Sequence, residues 1–136
     1  MKNYALVLAA GKGTRFGGND VKQFLPLAGK PIFIHAISAF EMHHSIDEII
    51  LVVPEGTQEE CWHACEKNGI KKVKKVLAGG KSRQESSSIA IGSIGDTNGN
   101  VLIHDGVRPL LSQQLISNCL LALSNHGAVT TAIPIT

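Results

Sequence analysis

No run in this chain approaches the roughly 18 consecutive apolar residues that a membrane-spanning helix needs, so the sequence predicts no membrane span. The opening MKNYALVLAAG has an apolar stretch, but a short one that runs into a glycine loop. It reads as a strand rather than a secretory signal, and the expected address is the cytoplasm, where thiols stay reduced. Cysteine is scarce: Cys61, Cys65 and Cys119 are all there is. His63 lies near the first two, at a spacing that fits no common zinc motif, so all three read as core or half-buried residues. Net charge is only +2, too small to mark a nucleic-acid surface. The cluster Lys71, Lys72, Lys74 and Lys75 lacks the interleaved aromatics of a nucleic-acid platform and reads as a solvated face around Val73. Repeats, linkers and low-complexity tracts are also missing, which leaves one domain with an ordinary 43% hydrophobic content. One local shortage stands out. Across residues 1–30, Asp20 alone is acidic, against Lys2, Lys12, Arg15, Lys22 and Lys30.

Short apolar runs alternate with amphipathic segments along the chain. Strands are expected at 4–9, 48–53, 73–77, 100–104 and 128–133. EIILVV at 48–53 is apolar throughout, as in a strand covered on both faces. Helices are expected from Pro31, with Phe33, Ile37 and Phe40 on the buried stripe, and at 57–67, 82–94 and 112–125. Thr57 with Glu60, and Ser82 with Glu85, have capping-box spacing. In the last helix Leu115, Cys119 and Leu123 should face inward. This βαβαβαβαβ order predicts an α/β, Rossmann-like, mostly parallel sheet with helices on both faces. Ligands of such sheets bind beyond the carboxyl ends of the strands, which singles out loops 10–30, 54–57, 78–86 and 105–112. The last strand has no helix after it, so the sheet is expected to be incomplete and the chain a C-terminally shortened fragment.

The first of those loops contains GKGTRFG at 11–17. As a nucleoside-triphosphatase loop it fails twice: Gly13 stands where Ser or Thr should follow the lysine, and Leu6 where the first glycine should be. As a dinucleotide fingerprint it has Phe16 in the third glycine position, and its helix is delayed to Pro31. Two readings remain. Glycines could let backbone N–H groups approach phosphate oxygens while Lys12, Arg15 and Lys22 meet the negative charge of a nucleoside triphosphate. Alternatively, this is a solvated surface loop.

The sequence LAAGKGTR at 8–15, followed by KQFL at 22–25, resembles the sugar-phosphate nucleotidyltransferases. It is most similar to the cytidylyltransferases acting on 2-C-methyl-D-erythritol 4-phosphate and ribitol 5-phosphate. GGKSRQES at 79–86, HDGVRP at 104–109 and the segment 127–134 are similar to further motifs of that family, in its order and spacing. The resemblance implies a nucleotidyltransferase domain over 1–136 that is the N-terminal, CTP-binding part of a longer chain. A C-terminal remainder and dimerisation arm would complete a homodimeric enzyme. It further implies that Ala9, Ala10, Gly11 and Gly13, with Gly80 and Ser86, hold the nucleotide. Arg15 and Lys22 would stabilise charge at the reacting phosphorus, Asp105 would ligate Mg²⁺, and Arg108 would contact the polyol phosphate acceptor. Three departures from the family pattern are Val21 in place of a proline, Gly106 in place of an alanine, and the chain's length.

The implied reaction moves CMP from CTP to the acceptor's phosphate and releases pyrophosphate. The nucleophile is already an anion and no general base is needed, which matches the lack of a convincing nucleophile–base pair in these loops. The favoured acceptor is 2-C-methyl-D-erythritol 4-phosphate, which places the chain in isoprenoid precursor synthesis. Ribitol 5-phosphate is the alternative, and a CTP-binding chain without turnover is a second one. Plainer roles stay open for several residues. Asp105 could cap a turn, His104 could be a hydrogen-bonded core histidine, and Arg83 with Glu85 could be only a pair at a helix start.

Overall fold

The computed structural model describes residues 1–11, 24–95 and 98–131. Two strands form its centre, β1 (Asn3–Leu8) and β4 (Glu48–Val53), each with five consecutive buried residues after a half-buried first one. The numbering of β4 allows for a short antiparallel hairpin, β2 (Pro26–Leu27) with β3 (Lys30–Pro31), that precedes it. Together with β5 (Val73–Ala78) and β6 (Asn100–Asp105) the central strands make a four-stranded parallel sheet in the order β5-β4-β1-β6.

Side chains of successive strand residues point to opposite faces, and both faces are covered. Ala5, Val7, Ile49, Leu51 and Val53 lie in one apolar layer with residues of three helices. Those helices are α1 (Ile32–Glu41), α2 (Gln58–Lys67) and α4 (Gln113–Leu123). Leu6, Leu8, Ile50 and Val52 lie in the other layer, against Ala90 of α3 (Arg83–Gly92). Each fully buried side chain such as Phe33, Ile37 or Phe40 of α1 contributes roughly 1.5–3 kcal/mol by leaving water. The expected α/β architecture, with helices on both faces, is therefore the one found. The chain steps from β1 to β4 to β5, then crosses by α3 to set β6 on the far side of β1. That reversal opens a crevice at the carboxyl ends of β1 and β6.

Several local expectations need correction. Thr57 is the N-cap of α2 but makes no side-chain cap; its hydroxyl donates to the Pro54 carbonyl at 2.6 Å. The capping box with Glu60 therefore does not form. In α4 the buried residue is Ile116, while Leu115 is 37% exposed and Cys119 and Leu123 are half-buried. The expected strand at 128–133 is not seen at 128–131, and the remainder falls outside the described residues. Among the described residues nothing pairs with the outer edge of β6. An apolar cavity of about 370 Å³ lies there, bordered by Leu102, Leu115, Cys119 and Leu123, which is why the α4 stripe is left partly open. Cys61 and Cys65 are buried as expected, and burial pushes their thiols up to about 11 and about 12. Among the described residues no helix is long and apolar enough to cross a membrane.

Candidate active site

A cavity of about 900 Å³ opens at the carboxyl ends of the strands, where loops after β1, β4, β5 and β6 converge. The strand ladders continue past the strand ends and set these loops side by side. Ala9 N–H donates to the Val52 carbonyl at 2.7 Å, Gly79 N–H to the Val53 carbonyl at 2.8 Å, and Gly106 N–H to the Leu8 carbonyl at 2.8 Å.

Packing this tight explains two glycines. A Cβ on Gly79 would lie 2.2 Å from the Ala10 Cβ and 2.9 Å from Ser86 Oγ. A Cβ on Gly106 would lie 2.9 Å from the Ala9 Cβ and 3.2 Å from the Leu8 carbonyl oxygen. Gly106, where the resemblance leads one to expect alanine, thus lets the Asp105 turn press directly against the end of β1.

The loop between β5 and α3 is held by its own side chains. Ser82 Oγ accepts from Glu85 N–H at 3.1 Å, and Glu85 Oε2 accepts from Lys81 N–H at 3.1 Å. The Ser82 half of the expected capping box is therefore formed, while Glu85 reaches one residue further back, to Lys81 N–H instead of the Ser82 N–H; the N-terminus of α3 points into the cavity. Ser86 is buried, and its hydroxyl accepts from Gly80 N–H at 3.0 Å. The Gly80 N–H is therefore already used within the loop, and the Glu85 side chain fills the space a Cβ would take, with its Cγ 2.3 Å from that position.

Asp105, the last residue of β6, is gripped from both sides. Arg83 Nε donates to Oδ1 at 3.1 Å, and Arg108 Nε sits 3.3 Å from Oδ2. Arg83 thus turns to Asp105 and not to Glu85. The turn after β6 is closed by backbone, with Arg108 N–H donating to the Asp105 carbonyl at 3.1 Å, so the carboxylate is not consumed as a turn cap. His104 Nε2 bonds the Arg108 carbonyl at 2.8 Å, and its ring packs edge-on against Phe40. It is a structural brace for the turn, in line with the plainer reading.

Of the residues singled out by sequence, Ala10, Gly11, Gly80, Ser86 and Asp105 line this one cavity; Ala9, buried between the lining residues Leu8 and Ala10, and Arg108, paired with Asp105, are not part of the lining. Gly13, Arg15 and Lys22 lie outside the described residues. Arg83 and Glu55 also line the cavity, and sequence reasoning gave neither a site role. Among the described residues no group of three His, Cys, Asp or Glu side chains could enclose a metal ion. A single carboxylate ligand such as Asp105 is still a donor set that Mg²⁺ uses, since it keeps several waters and shares substrate oxygens.

A protein-family model described as 2-C-methyl-D-erythritol 4-phosphate cytidylyltransferase (IspD) matches residues 4–136. The chain is 40% identical over 131 residues to a protein of that name from Alkaliphilus metalliredigens (strain QYMF), covering 96% of this chain and 54% of the relative. It is 38% identical over 135 residues to a bifunctional ribulose 5-phosphate reductase/CDP-ribitol pyrophosphorylase from Haemophilus influenzae, of which it covers 28%. Among solved structures, the 4-diphosphocytidyl-2C-methyl-D-erythritol synthase of Anaerococcus prevotii DSM 20548 superposes with a TM-score of 0.74 at 25% identity. That match covers 91% of this chain and 51% of the other. The chain spans about half the length of the 2-C-methyl-D-erythritol 4-phosphate cytidylyltransferases it matches.

Proposed function

Since the chain belongs to the 2-C-methyl-D-erythritol 4-phosphate cytidylyltransferase family, we propose that it takes part in moving CMP from CTP to 2-C-methyl-D-erythritol 4-phosphate. The observation that carries this reading is the convergence of Ala10 after β1, Gly80 and Ser86 after β5, and Asp105 at the end of β6 on one cavity at the carboxyl end of the sheet.

The base and ribose of CTP would lie against the backbone of Ala9, Ala10, Gly11, Gly13 and Gly80, with Ser86 fixing Gly80. An oxygen of the acceptor's phosphate attacks the α-phosphorus. The bond from that phosphorus to the bridging oxygen breaks, and pyrophosphate leaves with the electron pair. Positioning and charge stabilisation are the whole of the catalysis. Arg15 and Lys22 supply positive charge at the reacting phosphorus, and Arg108 receives the acceptor's phosphate. Asp105 would hold a divalent cation, which when bound draws negative charge off the phosphate oxygens.

The described lining supports a need for that extra charge. Lys81 and Arg83 are its cations, against Glu55, Glu85 and Asp105. Such a surface gives no net attraction to a triphosphate, so binding depends on Arg15, Lys22 and a cation.

The test is pyrophosphate release from CTP, with 2-C-methyl-D-erythritol 4-phosphate and ribitol 5-phosphate supplied in parallel. Release only with the first is the expected result. Release only with ribitol 5-phosphate would reassign the acceptor. CTP binding without release from either would make this a nucleotide-binding chain that does not turn over.

A further inference from the structure

Asp105 has two carboxylate oxygens, and an arginine occupies each. Arg83 comes from the first turn of α3 and Arg108 from the turn after β6, so the pair spans the cavity mouth between two elements. A cation cannot reach Asp105 at full strength while both guanidinium groups stay where they are. The arginine side chains are 62% and 74% exposed, and ion pairs this wet are weak and readily exchanged. Arg83 is also well placed to move. Its backbone is fixed by the Ser82–Glu85 cap, and its side chain already lines the nucleotide cavity.

We propose that Arg83 is a positioning residue that holds the Asp105 carboxylate at the cavity mouth until a divalent cation takes its place, and that the released guanidinium then turns to the phosphates of the nucleotide. This rests on the reading of Asp105 as the cation ligand. It adds a second event to cation binding: each cation that docks also frees an arginine, so cation and triphosphate favour one another. The exchange offsets the nearly balanced charge of the described lining at the moment the anion arrives.

The experiment titrates Mn²⁺ alone into the chain by electron paramagnetic resonance, then titrates CTP in the presence of Mg²⁺ by calorimetry. Arg83→Gln should bind Mn²⁺ alone about threefold more tightly, the scale of a lost surface ion pair, yet bind CTP with Mg²⁺ more weakly by a similar factor. Arg83→Lys, which restores the charge, should return both toward wild type. Lys81→Gln removes an equal charge from the same cavity without an ion pair to Asp105, and should tighten Mn²⁺ clearly less. Unchanged or weaker Mn²⁺ binding in Arg83→Gln overturns the proposal, as does an equal gain in Lys81→Gln, which would show only a general field. Asp105→Asn separates the two levels. If it binds Mn²⁺ like wild type, the assignment of Asp105 as cation ligand falls, and the exchange falls with it. If it loses Mn²⁺ while Arg83→Gln changes nothing, only the exchange falls. Melting curves of all four variants keep unfolding from imitating any of these results.

Discussion

Gly79→Ala is the sharpest probe of how the site is built. The added methyl would sit 2.2 Å from the Ala10 Cβ, 2.9 Å from Ser86 Oγ and 3.3 Å from Val52 Cγ1. A Cβ has no rotamer with which to escape, so the β1 and β5 loops themselves must separate. Overpacking of this kind costs roughly 1–3 kcal/mol, which for a chain of 136 residues is a fall in melting temperature of roughly 3 to 12 °C. The same chemical change at Gly92, at the end of α3, meets nothing within 4 Å. There it should raise the melting temperature by about 1 to 3 °C, because alanine loses less backbone entropy in a helix. Differential scanning fluorimetry reads both. In the double variant Ala10→Gly with Gly79→Ala the principal clash is gone, so more than half of the loss should return, a coupling expected only of residues in contact. A Gly79→Ala melting temperature within a degree of wild type, or no recovery in the double variant, would refute the close approach on which the cavity's shape depends.

His43 gives a pH signature. Burial first, then His44 and Lys72, hold its pKa below the ordinary value of 6.5. Its Nδ1 accepts from Ser45 N–H at 3.2 Å, and Nε2 meets Ser117 Oγ of α4 at 2.8 Å. The unfolded chain therefore takes up a proton first as pH falls below about 6.5. Stability should drop from there down to the folded pKa and level off below it. The urea midpoint of wild type between pH 7.5 and 5.5 should fall further than that of His43→Gln, and parallel curves would reject the assignment. Thiol alkylation at pH 8 should modify half-buried Cys119 well before Cys61 and Cys65, whose thiols burial raises to about 11 and about 12; mass spectrometry of the early product decides it. Arg15→Ala and Lys22→Ala should each lower pyrophosphate release by about tenfold or more, and normal release in either, with the fold intact, would remove that residue from the mechanism.

What could be read in advance follows from physical range. β1 and β4 were legible because burial on both faces leaves an uninterrupted apolar run. α1 was legible because Phe33, Ile37 and Phe40 mark a single stripe. The Ser82–Glu85 cap was legible because both partners lie within one turn. Thr57 has the same spacing to Glu60, yet its hydroxyl found the Pro54 carbonyl, an acceptor that spacing does not reveal. The hairpin of β2 and β3 escaped notice because its turn puts Ala28 at φ 53 beside Gly29 at φ 81, and alanine is no signal for that conformation. The α4 face was misjudged because Leu115, Cys119 and Leu123 and the neighbouring Ile116 differ by one position, and only the bare edge of β6 decides between them. The Arg83–Asp105 pair spans 22 residues and exists only because α3 carries the chain across the sheet to β6.

The two halves of the site therefore differ in kind. The part built on strand ends is a shape, made by glycines at 79 and 106 that let backbones touch and by side chains that satisfy one another. Its charges are nearly spent on internal partners: Glu85 on Lys81 N–H, and Asp105 on Arg83 and Arg108. A rigid, nearly neutral mould can orient a base and ribose, but it does not attract four negative charges. On the reading proposed above, the attraction comes from Arg15 and Lys22, in a 1–30 segment whose one acidic residue is Asp20, and from a cation able to displace an arginine. Separating the two tasks has a consequence for binding. Salt should weaken CTP binding through the basic segment, while substitutions at Gly79 or Gly106 should change selection between CTP and UTP with little change in salt dependence. Competition of UTP against CTP at two ionic strengths would show whether shape and charge are in fact supplied separately; a Gly79→Ala variant that altered the salt slope but not the base preference would reverse the assignment.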